Sequence, residues 1–250
     1  MFFFDLLLPC LLYLFAATLV QLVFPALSAL ASTGLGALIS LPFLFAFYRR
    51  EMRSFSWEMF PARNRRVLFL LCPLLGICAC VCVNALILLS GISSLFPGFQ
   101  ETTAELLYAP PLAVQIAATG ILIPAAEELV FRGGIYLVLR RKLAAFPAMI
   151  LCSLLFALYH GNVVQGIYAF LLGFLAVWLL NRTQSILYPV LFHMAANLAS
   201  LALNALLLPL GNGMLLLSLS FDVLLFGALL LFLIHRIAQL TAISQTPPTR

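Results

Sequence analysis

Seven polar residues stand inside long apolar stretches of the chain, whereas most of its charged residues collect between such stretches. They are Glu127, Glu128, Arg132, His160, His193, Asn197 and Asp222. Ionisable groups within a membrane cost free energy, usually face the protein interior and mark functional sites. These residues are therefore the candidates for chemistry. Asp222 stands apart from the others along the chain and is expected to be structural or to support the site from outside.

The spacing of the two glutamates and the arginine gives them different roles. Glu128 and Arg132 are four residues apart, so on a helix they stack on one face and can form an ion pair. Glu127 lies one position further round the same helix, a rotation of about 100°. One glutamate can thus be held by the arginine while its neighbour stays free to react. The alternative is a purely structural ion pair, for which one glutamate would suffice.

The histidines and the asparagine fall on other apolar stretches. His193 and Asn197 are four residues apart in HMAAN and share a helix face, and His160 ends FALYH, four residues after Phe156. From the helical rise, we expect Glu127, His160 and His193 to meet in one cavity at mid-depth or in the cytoplasmic half. Each histidine could instead make an ordinary interhelical hydrogen bond. Further polar residues that could line a wet cavity are Asn84, Gln115, Asn162 and Gln165.

These residue types could hydrolyse an amide bond. A carboxylate in a medium of low dielectric is a stronger base than in water and could deprotonate a water molecule. A histidine at hydrogen-bond distance could hold the same water and later protonate the leaving amine. A second histidine and an asparagine could donate hydrogen bonds to the tetrahedral oxyanion. Two histidines and a glutamate could also hold a catalytic zinc ion with one open position, although no HExxH pair lies on one helix.

The composition places this chain in a membrane. Only 8% of its 250 residues are charged, 64% are hydrophobic, and the mean hydropathy is +1.15. A soluble domain carries roughly a quarter charged residues, so we expect an integral membrane protein. The net charge of +5 is not accompanied by a basic patch with stacking aromatics in a soluble segment, which excludes nucleic-acid binding. The six cysteines lie in apolar runs and indicate neither a zinc site nor a disulfide.

The apolar stretches predict eight transmembrane helices, since about 20 apolar residues span the hydrocarbon. Their approximate limits are 3–24, 26–48, 67–90, 112–139, 146–160, 163–180, 185–208 and 213–235. The predicted fold class is all-α: a polytopic membrane helix bundle that forms one transmembrane domain over residues 1–250. The N-terminal stretch has no basic region and no small-residue cleavage site, so we expect it to be retained as a span.

The positions of the Lys and Arg residues test the prediction of eight spans. Eight alternating spans put twelve of the thirteen Lys and Arg residues on one side, and Arg132 is the exception. The positive-inside rule makes that side the cytoplasm, with both termini there. The twelve are Arg49, Arg50, Arg53, Arg63, Arg65, Arg66, Arg140, Arg141, Lys142, Arg182, Arg236 and Arg250.

Three motifs occur in order on three of the predicted helices. EELVFR fits E-E-x-x-x-R, FALYH fits F-x-x-x-H, and HMAAN fits H-x-x-x-N. This trio resembles the family of CAAX prenyl endopeptidases and bacteriocin-processing enzymes, also called the abortive-infection or CPBP family of intramembrane proteases. The resemblance covers roughly Leu112 to Leu208, which would be the catalytic core.

The resemblance implies roles for the candidate residues. Glu127 and His160 would activate the water, and His193 and Asn197 would form the oxyanion hole. This glutamate-type catalysis requires no cofactor. The zinc alternative, with Glu127, His160 and His193 as ligands, stays open.

By the same resemblance, Glu128 and Arg132 would hold the geometry of the site and offset its charge. The implied activity is an intramembrane endopeptidase of a prokaryotic cell (inner) membrane. Its partners would be the lipid bilayer and membrane-anchored substrates: lipidated C-termini, leader peptides or C-terminal anchors. One alternative is a catalytically idle relative that acts as a membrane immunity or scaffold protein. An ion-coupled transporter is a further alternative, but it would favour paired broken helices in corresponding halves, and the sequence has no such repeat.

Overall fold

Eight helices form the framework of the part of the chain that the structure describes. The computed structural model describes residues 2–55, 64–96, 98, 104–207 and 212–242, and this part contains no β-strand. Two short helical turns, Ile92–Leu95 and Ala104–Tyr108, lie between the third and fourth helices. The helices are α1 (Phe2–Val23), α2 (Ala29–Met52), α3 (Arg65–Ser90), α4 (Leu112–Arg140), α5 (Ala145–Tyr159), α6 (Val163–Thr183), α7 (Leu187–Leu207) and α8 (Asn212–Leu240).

The predicted all-α membrane bundle is confirmed, and each predicted helix is present with shifted ends. Within the described residues, α1, α2, α3, α4, α6 and residues Leu216–Leu240 of α8 are long and apolar enough to cross a membrane. The fifth predicted span is shorter than a full crossing, because α5 has only 15 residues. The next helix starts at once: Gly161 takes a positive φ of 73°, and the Asn162 side chain caps α6 by accepting the backbone N–H of Gln165.

One end of the bundle is tied together by contacts between distant parts of the chain. Asp5, near the start of α1, receives hydrogen bonds from Arg50 at the end of α2 and from Arg141 just after α4. The Asn64 side chain, next to the start of α3, donates to the carbonyl of Leu240 at the end of α8 at 2.7 Å. The start of α1 and the ends of α2 and α4 therefore lie at one level, as the predicted alternation of spans requires.

The basic residues collect at this end, which we call the basic side. Those in the described part are Arg49, Arg50, Arg53, Arg65, Arg66, Arg140, Arg141, Lys142, Arg182 and Arg236. Arg63 and Arg250, which were assigned to the same side, lie outside the described residues. That the basic side is the cytoplasmic one follows from the positive-inside rule alone and stays a prediction.

Helix α4 lies at the centre of the packing. Its residues from Ala126 to Leu139 are all buried against α1, α2, α5 and α6. A second cluster joins α3, α6, α7 and α8. Small residues allow these close approaches: a Cβ added at Gly76 of α3 would overlap the carbonyl oxygen of Phe192 on α7.

The hydrogen bonding within α4 is irregular on both sides of the glutamates. An α-helical segment, Ile123–Val130, carries Glu127 and Glu128 between two π-helical segments, Ile116–Leu122 and Phe131–Tyr136. Single π-turns are rare and occur frequently at functional sites. A π-turn holds more residues than an α-helical turn, so the residues beyond it are rotated relative to a regular α-helix.

Candidate active site

Glu128 and Arg132 form the buried ion pair predicted from their spacing. Arg132 Nη1 donates to Glu128 Oε1 at 2.9 Å, and both side chains are almost completely buried. The other end of the guanidinium, Nη2, donates to the carbonyl of Gly173 on α6 at 2.9 Å. The guanidinium carbon also lies 4.4 Å from the centre of the Phe156 ring on α5, in a cation–π contact. Arg132 thus connects three helices around one carboxylate.

His193 faces both glutamates. Its Nδ1 lies 2.8 Å from Glu128 Oε1, and its Nε2 lies 3.8 Å from Glu127 Oε2. The ion pair of α4 therefore also holds the imidazole of α7. A carboxylate only accepts hydrogen bonds, so Nδ1 is the protonated donor in this contact. Because Glu128 holds Nδ1 of His193, it also fixes the ring so that Nε2 faces Glu127.

His160 is oriented by its own helix. Its Nδ1 lies 2.8 Å from the carbonyl oxygen of Phe156, which can only accept, so Nδ1 carries a proton. In the neutral ring, Nε2 is then an acceptor. The imidazole stands edge-on to the Phe156 ring, with 4.7 Å between the ring centres. His160 follows the last residue of α5, directly before the positive-φ Gly161.

Asn197 lies one helical turn beyond His193 on α7. Its Nδ2 donates to the carbonyl of Thr119 on α4 at 2.9 Å, inside the first π-helical segment. An amide nitrogen has two hydrogens, so one N–H remains for another acceptor.

A cavity of about 670 Å³ brings the four predicted catalytic residues together. Glu127, His160, His193 and Asn197 all line it, whereas Glu128 and Arg132 lie behind its wall. The volume is in the range of small-molecule and peptide sites. The motifs did not indicate seven further polar residues that also line the cavity. They are Thr33, Ser93, Tyr108, Thr119, Tyr168, Ser200 and Asn204.

The other polar residues divide between this cavity and structural roles. Asn84 and Gln165 line the cavity, as suggested from the sequence. Gln115 does not line it, because its side chain donates to the carbonyl oxygens of Tyr108 and Pro110. Asn162 caps α6. Asp222, on α8, is not among the residues that line the cavity.

The zinc alternative requires that the side chains of the cavity surround one metal position. Among the described residues, no three His, Cys, Asp or Glu side chains are gathered closely enough to hold a metal ion. Both imidazoles present Nε2, because Nδ1 of each is bonded to the protein. Glu127, His160 and His193 therefore have suitable donor atoms for zinc, but their side chains are not arranged around one point.

The fold and this site define an integral membrane protein with a buried glutamate–histidine centre among its helices. Residues 109–199 match the model of a family described as Rce1-like, type II CAAX prenyl endopeptidase. This match spans α4 to the first part of α7 and contains Glu127, Glu128, Arg132, His160, His193 and Asn197, but not Asp222. The resemblance to the CAAX protease family, inferred from three short motifs, is therefore confirmed for this part of the chain.

A curated relative matches a similar length of chain. The UPF0177 protein YxdF of Lactococcus lactis subsp. lactis (strain IL1403) is 29% identical over 96 residues, which make up 38% of this chain. The matching region covers 52% of the relative, about half its length. No solved structure matches the chain significantly.

Proposed function

We propose that this protein is an intramembrane endopeptidase in which Glu127 and His160 activate a water molecule. One observation carries the proposal: of two adjacent glutamates, Glu128 is held by Arg132 and His193, while Glu127 lines the cavity. A buried carboxylate without an arginine partner is costly for stability, and such residues are retained for function. The CAAX-type family match over the same helices supports hydrolysis as that function.

The reaction follows from the groups around the cavity. The Glu127 carboxylate takes a proton from water, with His160 Nε2 as a second acceptor, and the resulting hydroxide adds to the carbonyl carbon of the substrate. The oxyanion receives hydrogen bonds from His193 Nε2 and the free N–H of Asn197. His193 must carry both ring protons to donate from Nε2, since Nδ1 already faces Glu128. The proton that Glu127 took from water then passes to the nitrogen of the leaving amine. The C–N bond breaks as the tetrahedral intermediate collapses.

Substrates of this reaction are membrane-associated proteins in a prokaryotic cell (inner) membrane. Lipidated C-termini, leader peptides and C-terminal anchors are the classes that the family resemblance suggests. The cavity supports a peptide substrate, because hydroxyl and amide side chains are spread along its wall among leucine, isoleucine and valine. Such a wall can pair with a peptide backbone and bury apolar side chains.

The test compares protein termini in membranes of cells that carry wild-type protein or Glu127→Gln. We expect the variant to insert and fold, and to lose the new termini that the wild type produces. Asp222→Asn is the matched control, since this carboxylate is not part of the cavity lining, and it should cut as the wild type does. Unchanged termini in Glu127→Gln would favour an idle relative with a scaffold or immunity role.

The mechanism above uses protein side chains only. A zinc ion held by Glu127, His160 and His193 would supply a Lewis acid and lower the pKa of a bound water. The two mechanisms are separated by mass-spectrometric metal analysis of chelator-treated protein that still cleaves. Full activity without bound zinc excludes the metal mechanism, and activity that returns only with zinc excludes the metal-free one.

A further inference from the structure

The cavity is closed toward the basic side of the bundle. Glu127 lies at its inner end, and from there to Leu139 every residue of α4 is buried. Arg140 follows Glu127 by thirteen positions, a distance of about 20 Å along a helix. The space on the basic side is filled by packed side chains, with Phe131 against Phe156 at 4.8 Å between ring centres. The cavity thus has packed protein between its inner end and the basic side.

The opposite end of the cavity is open. Its lining there includes Ala29, the first residue of α2, Leu88 near the end of α3, and Leu106 in the short turn before α4. Leu88 is 42% exposed and Leu106 is 47% exposed, whereas Glu127 and His193 at the inner end are 7% and 8% exposed. We call Ala29, Leu88 and Leu106 the mouth. It lies at the ends of the helices that are furthest from the basic side.

The charges of the connections assign the mouth to one face of the membrane. The described connecting residues on the mouth side are 24–28, 91–96, 98, 104–111 and 160–162, and they include no Lys or Arg and one Glu residue, Glu105. Ten described Lys and Arg residues lie in or beside the opposite connections. An asymmetry of this size fixes orientation through the positive-inside rule. With the basic side on the cytoplasm, as this rule predicts, the mouth opens to the extracytoplasmic side.

The wall of the cavity selects for uncharged peptide. Among its described lining residues, Glu127 is the one carboxylate, and none is Lys, Arg or Asp. Away from Glu127 and the two histidines, a charged substrate side chain would be desolvated without a partner of opposite charge, which is unfavourable. The buried Thr119 hydroxyl also lines the cavity and has no hydrogen-bond partner among the described residues. The N–H or C=O of a peptide lying along α4 would give the Thr119 hydroxyl a hydrogen-bond partner.

From these observations we infer that substrate enters from the extracytoplasmic side. The bonds cut then lie in uncharged stretches at the extracytoplasmic flank, or in the adjoining half of the span, of exported or membrane-anchored proteins. The part of this inference that concerns cutting rests on the proposed function; the direction of the mouth does not. A lipidated C-terminus on the cytoplasmic face would be separated from Glu127 by the packed core. Leader peptides and anchors that have crossed the membrane fit the mouth.

The direction of the mouth is tested by thiol labelling in intact cells. Leu106→Cys places a thiol at the mouth, and Lys142→Cys places one on the exposed turn after α4 on the basic side. A membrane-impermeant maleimide should label Leu106→Cys as fully in intact cells as after lysis. Lys142→Cys should lose its labelling unless the cells are lysed. Wild-type protein gives the background, since its native cysteines are buried or half-buried.

Cleavage gives the second readout. A bulky impermeant maleimide on Leu106→Cys should abolish production of the new termini, whereas Lys142→Cys labelled in inverted membrane vesicles should cut normally. Labelling of Lys142→Cys in intact cells, or protection of Leu106→Cys there, would overturn the orientation. Cut sites on the cytoplasmic flank of substrates would overturn the entry route.

The two proposals fail in different ways. If Leu106→Cys is labelled from outside but Glu127→Gln leaves all termini unchanged, the endopeptidase proposal is wrong and the extracytoplasmic mouth stands. If Glu127→Gln removes cleavage but Leu106→Cys is reached only after lysis, the enzyme stands and extracytoplasmic entry is wrong.

Discussion

Glu127 and Glu128 are adjacent in sequence but have different surroundings, so their substitutions should differ in effect on stability. Glu128 Oε1 accepts hydrogen bonds from Arg132 and His193. Glu128→Gln removes the charge that compensates a guanidinium with no solvent exposure. Loss of one partner from a buried ion pair costs about 3–5 kcal/mol, so we expect a clear fall in the midpoint of thermal unfolding in detergent. Glu127→Gln relieves the desolvation of a carboxylate and should keep or raise that midpoint.

Equal shifts of the unfolding midpoint in the two variants would show that both glutamates are structural.

The spacing of Glu128 and Arg132 was enough to predict their pairing, because residues four apart on a helix must be neighbours. The contact of His193 with Glu128 could not be predicted in the same way. It joins residues 65 positions apart and depends on how α7 sits beside α4. Sequence spacing predicts contacts within a helix, and packing between helices decides the rest.

Helix α7 carries His193, and its position depends on one glycine of α3. A Cβ at Gly76 would overlap the carbonyl oxygen of Phe192, the residue before His193. Gly76→Ala should therefore push α3 and α7 apart. Overpacking of this kind costs about 1–3 kcal/mol, and a displacement of about 1 Å at a catalytic group can lower the rate about a hundredfold. We expect both losses, measured by thermal unfolding and by the yield of new termini.

Gly227→Ala on α8 is the matched control, because its added Cβ would lie 3.7 Å from the sulfur of Cys82, an ordinary contact. Alanine is favoured over glycine inside a helix by about 1 kcal/mol, so this variant should be as active as the wild type and equally or more stable. If the Gly76→Ala variant behaves in the same way, close packing of α3 on α7 does not position His193.

The elements themselves were largely predictable. Long apolar runs alone place the helices within a few residues. The π-helical segments of α4 were not predicted, because IAATGIL and FRGGIY contain nothing that a regular helix excludes. The second segment is also closely packed by its neighbours: a Cβ at Gly133 would press on Tyr48, and one at Gly134 would press on Pro9. The π-helical segments therefore could not be predicted from the sequence of α4 alone.

For the whole molecule, charge counting predicted the alternation of helices, but it treated the charges at the helix ends as orientation signals alone. Asp5 and Glu51 are buried in a network with Arg50 and Arg141. Their partners lie up to 136 positions away, so nothing local in the sequence indicates them. Burial turns these carboxylates into contacts that hold α1, α2 and the turn after α4 together.

Arg141 is the connection between these three elements. Its Nε donates to Glu51 at 2.9 Å, its Nη1 donates to Asp5 at 2.7 Å, and its Nη2 also contacts Glu51. The Glu51 side chain is 1% exposed, whereas Arg141 is 31% exposed, so the pairing is only partly screened by water. Arg141→Ala leaves Glu51 with Arg50 alone, and we expect a loss of about 1–3 kcal/mol in the free energy of unfolding.

The neighbouring substitution Lys142→Ala removes an equal charge from an exposed position and should change stability by no more than about 0.5 kcal/mol. A double variant shows whether the network acts as a unit. Asp5→Asn should cost less in the Arg141→Ala background than in the wild type, because its partner is already gone. Additive losses would mean that Arg141 and Asp5 contribute separately. In that case Asp5 and Arg141 would each stabilise their own helix end, and the ends of α1, α2 and α4 would not be joined by one coupled network.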